Sequence, residues 1–234
     1  MYTAQQQINA SDYADALTTL SSVSATTLNT HAGLLLTATA NAGRCGLNLV
    51  NLASQVSTMT SGTSLMQLML AYMAGATSYT NCKTAETEIL AMVPAQITAD
   101  DYVFLAFIEL AKIGAILETS PSGADPTHAG TVAASFTPCT ATATGIPDAE
   151  VGEIGVSVDL ALSAITKSGI SFASSVTSVL NKVCKPTGQI DCSVTTASSF
   201  TAPELLLLRT AINTSDLGLN TCPGTMSNLS CVCL

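Results

Sequence analysis

Two apolar helical stripes follow one another within residues 34–75, and this repetition limits the fold more than any other feature of the chain. Apolar side chains recur at helical spacing in two sets, first Leu34, Leu35, Ala38 and Ala42, and then Leu65, Leu68, Met69 and Met73. A helix with one apolar face must cover that face with a neighbouring element. Gly43 and Gly75 lie near the ends of the stripes, where glycine can adopt the left-handed conformation that stops a helix. The stretch therefore predicts a helical hairpin that is repeated.

Amphipathic segments elsewhere predict further helices on both sides of this unit. They cover about 3–9, a helix from Ser11, 47–56, 84–92, 102–114, a helix opened by Pro147 and Asp148, 170–184, and a short helix from Thr201. The segments 98–101 and 201–204 have the pattern of helix N-terminal caps. The predicted fold class is all-α, built from antiparallel helical hairpins.

Proline and glycine divide the chain into three regions. They are concentrated between Glu118 and Pro147, which predicts a long, irregular, Thr-rich loop. The predicted regions are helical hairpins in 1–117, this loop in 118–147, and in 148–234 a helical hairpin, a short helix and a cysteine-rich tail. A loop of that length inside a compact domain is unusual unless it is functional or pinned to the helices, and Cys139 is the residue that could pin it.

The low charge of the chain excludes some classes of partner. Charged residues make up 10% of the sequence, against about 25% in an ordinary domain. The net charge is -9 with seven Lys and Arg, which argues against nucleic acid and against an anionic membrane surface, because both require clustered cations. The longest apolar run, 102–117, contains Glu109 and Lys112 and is shorter than the about 20 residues that span a bilayer. We therefore expect no transmembrane segment.

The chain has an even number of cysteines, and we interpret them as disulfide partners. The eight are Cys45, Cys82, Cys139, Cys184, Cys192, Cys222, Cys231 and Cys233. Metal ligation and free thiols are the alternatives, but no C-x-x-C pair is present, and structural zinc normally uses paired ligands. Cys184 and Cys192 bracket a short polar turn that a local disulfide could close. The eight cysteines allow 105 pairings, and the sequence does not choose among them.

Disulfides indicate an oxidising compartment, so we expect an exported protein in the periplasm or at the cell surface. The first residues, MYTAQQQ, have neither the basic region nor the apolar core of a signal peptide. We therefore expect the sequence to be the mature part of an exported chain. A lipidated cysteine just before it, acting as an N-terminal anchor, is compatible with this expectation.

Residues with catalytic or metal-binding chemistry are few, and we expect neither an enzyme nor a bound cofactor. His31 and His128 are the only histidines, and no nucleophile elbow, zinc-protease motif or phosphate-binding loop occurs. His31 precedes a predicted helix, which favours a capping role. The pairs Asp100/Asp101 and Glu150/Glu153 are interpreted as carboxylates at helix N-termini in preference to calcium ligands. The Met-rich stripe around Met69 is interpreted as core filling in preference to a ligand groove.

Asp12 and Tyr13, followed by Ala16 and Leu20, resemble the D-Y-x-x-A-x-x-x-L opening of the second helix in tetratricopeptide repeats. Counting from Ala10, Gly43 follows after 33 residues, Gly75 after a further 32 and Gly114 after a further 39, against a tetratricopeptide period of about 34. The resemblance covers residues 3–117. It implies hairpins stacked into a superhelix whose concave face binds a protein or peptide. By this resemblance the exposed contact residues are predicted to be Asn41, Gln67, Tyr72 and Glu109, and we add Arg44, one of two arginines.

Two other functions fit the composition. One is a periplasmic carrier of a small apolar ligand or lipid. In broad outline the chain looks similar to the exported T-component proteins of TRAP transporters, and its mean hydropathy of +0.44 suits a lined pocket. The other is a subunit of an envelope or surface assembly, in which the low charge would reflect area buried against neighbouring subunits. The scaffold that binds a protein or peptide partner is the leading hypothesis.

Overall fold

A computed structural model describes residues 1–57, 64–120, 124–125, 128–141, 145–169, 190, 194, 196–215, 217–219, 221–222 and 233. These residues are mostly helical, as predicted. The α-helices are α1 (Tyr2–Asn9), α2 (Tyr13–Ser21), α3 (Ala25–Leu28), α4 (His31–Cys45), α5 (Leu49–Ser57), α6 (Leu65–Tyr72), α7 (Thr80–Leu90), α8 (Ala99–Thr119), α9 (Asp148–Ser168) and α10 (Ala202–Asn213). Short 3-10 turns cover Pro94–Gln96 and Ala197–Ser199. The helix predicted over 170–184 lies outside the described residues.

Helix α8 lies at the centre of the main core. Fifteen of its 21 residues are buried, because apolar side chains such as Phe104, Ile108 and Ile113 occupy its whole circumference. It packs most extensively against α9 and also contacts α4, α6 and α7. Gly114 allows the approach of α6, since a Cβ atom there would lie 2.3 Å from the Met69 carbonyl oxygen. The sequence placed the end of this helix near Gly114, whereas it continues to Thr119.

A second, smaller core joins the N-terminal helices to α4. Its buried side chains are small or aliphatic: Ala4, Ile8, Ala16, Leu20, Leu36 and Ala40. Helix α4 belongs to both cores, because Leu34, Ala38 and Ala42 on its other side pack into the main core. The contacts of α4 with α7 are also extensive. The stacking of consecutive tetratricopeptide hairpins stays a prediction.

The helix caps confirm several of the sequence predictions and correct one. Both predicted helix N-terminal caps are formed, as capping boxes of Thr98 with Asp101 and of Thr201 with Glu204. Gly169 ends α9 with a left-handed φ of 67°. The prediction that Gly43 stops its helix is wrong, because α4 continues to Cys45 and Gly46 takes the left-handed conformation. Gly43 instead lies against the Tyr13 ring.

The segment predicted as an irregular loop contains a short antiparallel β-ribbon in its described part. Strand β1 (Ala124–Asp125) pairs with β2 (His128–Val132). The part of this segment after β2 is fixed by Arg209 from α10. The buried guanidinium group donates hydrogen bonds to the carbonyl oxygens of Pro138, Thr140 and Ile146 at 2.6–2.8 Å. Arg209 also contacts the Asp148 carboxylate at 2.6 Å.

Two cysteine pairs lie at disulfide distance. Cys45 and Cys82 join the C-terminal end of α4 to α7, and Cys139 and Cys233 join the segment after β2 to the end of the chain. The second pair confirms that Cys139 pins this segment. Cys222 is also disulfide-bonded, and the predictions for Cys184, Cys192 and Cys231 lie outside the described residues. No helix in the described part of the chain is both long and apolar enough to cross a bilayer.

Candidate functional site

An open groove between α6 and β2, which we call the α6–β2 groove, is a candidate binding site. Its volume is about 620 Å³, and it is lined by Gln67, Ala71, Gly130, Thr131, Val132, Ala133, Ala134, Phe136, Leu219 and Thr221. Phe136 and Leu219 are buried, whereas Gln67 and Thr221 are exposed. The groove therefore combines apolar side chains below with an amide and hydroxyl groups near the surface. None of the described residues that line it is charged.

The position of β2 beside α6 depends on glycine and on one carboxylate. Gly130 packs on α6, where an added Cβ atom would lie 3.0 Å from the Ala71 Cα atom. The Glu118 carboxylate, near the end of α8, accepts hydrogen bonds from the backbone N–H groups of Gly75 and Gly130 at 2.8 and 3.1 Å. These contacts tie the ends of α6 and α8 to the strand that lines the groove.

A smaller cleft lies between α2 and the start of α5, which we call the α2–α5 cleft. Its volume is about 240 Å³, and its apolar lining includes Ile8, Tyr13, Leu47, Leu49, Val50 and Phe104. Leu49 and Val50, two large apolar residues of this lining, are 40% and 79% exposed. The cleft therefore presents apolar surface to solvent.

The five predicted contact residues are divided between the surface and the interior. Gln67 is exposed in the α6–β2 groove, and Arg44 is exposed at a small cleft of about 150 Å³ that Tyr72 also lines. Tyr72 is half-buried, which raises the pKa of its hydroxyl group, and this group donates a hydrogen bond to the Asn48 carbonyl at 2.6 Å. The structure does not bring Gln67 into the same cleft as Arg44.

The expected exposure of the other two contact residues is wrong. Asn41 is buried, and its amide donates to the Thr37 carbonyl within α4 at 3.1 Å. Glu109 is completely buried. The tetratricopeptide resemblance predicts an exposed face for both, but each is enclosed by neighbouring helices.

Glu109 belongs to a cluster of ionisable side chains between α7, α8 and α9, which we call the buried ion cluster. Lys112 Nζ lies 2.9 Å from Glu109 Oε2 and 3.8 Å from Glu153 Oε2, and it also contacts the Glu86 carboxylate. Lys83 contacts Glu153. Lys112 and Glu109 have fully buried side chains, and charges at such depth are normally paired.

The pKa values of Glu109 and Lys112 in this cluster are both raised, but for different reasons. Burial raises the pKa of Glu109 from 4.5 to about 8, against the opposing effect of Lys112. Burial lowers the pKa of Lys112, but the carboxylates of Glu109 and Glu86 outweigh it, so the net shift is upward. Lys112 is therefore held in its charged form, while the neutral form of Glu109 is favoured.

A second ion pair links the N-terminal ends of α4 and α8. His31 Nε2 lies 2.8 Å from Asp101 Oδ2, and the Asp101 carboxylate also accepts from the backbone and hydroxyl of Thr98. Burial raises the pKa of Asp101, but the hydrogen bonds from His31 and Thr98 outweigh it, and the pKa is lowered. The prediction that Asp101 is a helix N-terminal carboxylate is confirmed, and His31 opens α4.

The described residues contain no group of three or more His, Cys, Asp or Glu side chains placed to hold a metal ion. Glu150 accepts a hydrogen bond from Ser120 at 2.6 Å, and Glu153 lies in the buried ion cluster.

No protein-family model, curated protein or solved structure matches this chain. The function must therefore be inferred from the site geometry.

Proposed function

We propose that this chain is an exported, non-enzymatic binding protein whose α6–β2 groove holds an extended, uncharged segment of a protein partner. The supporting observation is the groove itself. Its volume of about 620 Å³ lies within the about 300–1,000 Å³ typical of binding pockets, and its apolar floor with polar groups at the rim is typical of such sites.

The shape of the lining favours a peptide. Residues 130–134 line the groove as one continuous stretch, so successive backbone amide and carbonyl groups lie along it. Extended peptides bind beside strands mainly through main-chain hydrogen bonds, with shallow pockets for alternate side chains. Because the described lining has no charge, an ionised ligand side chain would lose hydration there without gaining a partner. An uncharged segment is therefore the better ligand.

The disulfide pairs support the export part of the proposal, because disulfides persist in oxidising compartments. The two disulfide-distance pairs join segments 37 and 94 residues apart. We place the protein in the periplasm or at the cell surface, with an N-terminal lipid anchor as one means of attachment. Its partner would be a protein of the envelope or of a surface assembly, and the stacked arrangement of a tetratricopeptide scaffold belongs to the same proposal.

Selection from a random peptide library displayed on phage tests this function. The wild-type protein should enrich uncharged, extended sequences, and Gln67→Arg should abolish the enrichment by placing a charge in the groove. Gln96→Arg is the matched control, since Gln96 is exposed but lies in the 3-10 turn before α8. Absence of enrichment by the wild type, or equal enrichment by Gln67→Arg, would contradict a peptide-binding groove.

The α2–α5 cleft favours a second candidate function, the carriage of a small apolar ligand. A bound apolar ligand would remove the exposed side chains of Leu49 and Val50 from contact with water. Native mass spectrometry after incubation with a fatty acid should then show a bound species that Val50→Asp loses. Val93→Asp is the control, because Val93 is also an exposed valine. A mass unchanged by the fatty acid would exclude this alternative.

A further inference from the structure

The buried ion cluster does not balance its own charges. Among the described residues it contains three carboxylates, Glu86, Glu109 and Glu153, and two ammonium groups, Lys83 and Lys112. With every group ionised, the cluster carries one excess negative charge. An excess charge inside a protein is unfavourable because water no longer solvates it. One added proton would make the cluster neutral.

Glu109 is the group where that proton fits. Its side chain is completely buried, and neither carboxylate oxygen has a hydrogen-bond partner among the described residues, although Lys112 Nζ lies 2.9 Å from Oε2. The Ser157 hydroxyl is also buried without a hydrogen-bond partner in that part of the chain, and it interacts with Glu109. The Ser157 hydroxyl can accept a hydrogen bond from a protonated Glu109 as well as donate one to its ionised form.

The other described elements packed on α8 do not supply a compensating cation. Helix α6 has no charged residue. On α4 the basic groups are His31, which is paired with Asp101 at the start of α8, and Arg44, which is exposed at the far end of α4. Strand β1 contributes Asp125, another acid.

Helices α7 and α9 add no free cation beside Glu109 either. Glu88 of α7 is an acid. On α9, Lys167 is the further basic residue, and it lies over the Tyr102 ring near the N-terminal end of α8. Tyr79, before α7, interacts with Glu150, Glu153, Lys83 and Lys112. Among the described residues, only Lys112 therefore opposes the charge of Glu109 directly.

We propose that Glu109 is a proton-binding site that acts as a pH-sensitive device, holding α7, α8 and α9 closely packed while protonated and loosening them when it releases the proton. The raised pKa of about 8 for Glu109 agrees with this proposal. The device lies apart from the α6–β2 groove, so it does not depend on the peptide-binding proposal.

The sign of the pH dependence follows from linkage. Glu109 titrates near 4.5 when exposed and near 8 in the folded chain, so the folded state holds the proton more tightly. The stabilisation is fully present below 4.5 and is lost as the pH rises through about 8. A single proton changes the unfolding equilibrium constant by about tenfold per pH unit inside this window.

Urea unfolding between about pH 5 and 9 tests the proposal by comparing the wild type with Glu109→Gln, which imitates the neutral carboxyl group. The ratio of the wild-type to the variant unfolding constant should rise by about tenfold per pH unit and level off above about pH 8. Asp15→Asn, at an exposed acid of α2, should leave the ratio flat. A flat ratio for Glu109→Gln would overturn the proposal.

A second measurement covers the case in which Glu109→Gln does not fold. Carbon-13 NMR of the wild-type protein labelled at the glutamate carboxyl carbons should show one resonance that titrates near pH 8, far above the others. The variant Ser157→Ala should shift this resonance and so assign it to Glu109. A resonance that titrates near pH 8 and responds in this way supports the proton site. Titration of every glutamate below about pH 6 would reject it.

Discussion

The two cores of this molecule differ in the side chains that they bury. The small core between α1, α2 and α4 consists of alanine, leucine and isoleucine side chains with no ionisable group among its buried members. The main core around α8 encloses the buried ion cluster. Apolar contacts are stable at any pH, whereas buried charges depend on partners and protons. The main core should therefore be the region that responds to charge substitutions and to pH.

The largest effect should come from removing the central cation of the main core. Lys112→Met leaves the buried carboxyl groups of the cluster with Lys83 as the remaining cation among the described residues, and breaking a buried ion pair in this way costs about 3–5 kcal/mol. Urea unfolding near neutral pH measures the loss. In Lys167→Met, the control, an exposed cation 5.4 Å from the Tyr102 ring is removed, at a cost of about 0.5–1 kcal/mol. Equal losses would show that the cluster is not a buried unit.

The disulfide between Cys45 and Cys82 connects the two cores, because it attaches the helix they share to α7. Replacing both residues with alanine should lower the free energy of unfolding by about 2–4 kcal/mol. Limited proteolysis should then cleave first in α1 and α2, whose attachment depends on α4. Peptide mass mapping of the unreduced wild-type protein should recover the Cys45–Cys82 linkage. Recovery of a different pairing for Cys45 would contradict this arrangement.

A matched pair of glycines, both inside helices, compares the tightness of the two cores. In Gly114→Ala the new methyl group meets the Met69 backbone at 2.3 Å, which a side-chain rotation cannot relieve, and overpacking of this kind costs about 1–3 kcal/mol. In Gly43→Ala it meets the half-exposed Tyr13 ring, which can turn aside. The loss there should be below about 1 kcal/mol. A larger loss at Gly43 would show that the small core is the more rigid one.

The smallest effect concerns Arg44, which lies in the last turn of the shared helix. A cation there interacts favourably with the helix dipole, so Arg44→Ala should cost about 0.3–1 kcal/mol at low ionic strength and less at high salt. Arg44→Lys keeps the charge and should preserve stability. A loss that is equally large for the lysine variant would point to specific contacts of the guanidinium group.

The elements that depend on local patterns could be predicted from the sequence. The capping boxes at Thr98 and Thr201, the start of α9 at Pro147 and its end at Gly169 require only neighbouring residues. The predicted end of α4 is wrong because Gly43 and Gly46 are both able to stop a helix. Gly43 stays within the helix, where its lack of a side chain leaves room for the Tyr13 ring. Tertiary contact decided between two locally acceptable positions.

The candidate sites could be predicted only in part. Gln67 lines the α6–β2 groove, and its role as a contact residue stays a prediction. The groove itself depends on a β-ribbon whose short, glycine-containing strands give little periodic signal. The buried ion cluster was missed as a unit because its members come from three helices and its contacts join residues up to 70 positions apart. The i,i+3 pair Glu109 and Lys112 was the available signal, since both interrupt the longest apolar run of the chain.

Hydrogen exchange with mass spectrometry tests the contrast between the two cores most directly. We expect the protection factors of amides in α8 to fall between pH 6 and pH 9, as Glu109 loses its proton with a pKa of about 8. Those in α1 and α2 should stay unchanged, because no buried member of the small core titrates. Equal changes in both regions, or constant protection of α8 across this range, would contradict a proton-dependent main core.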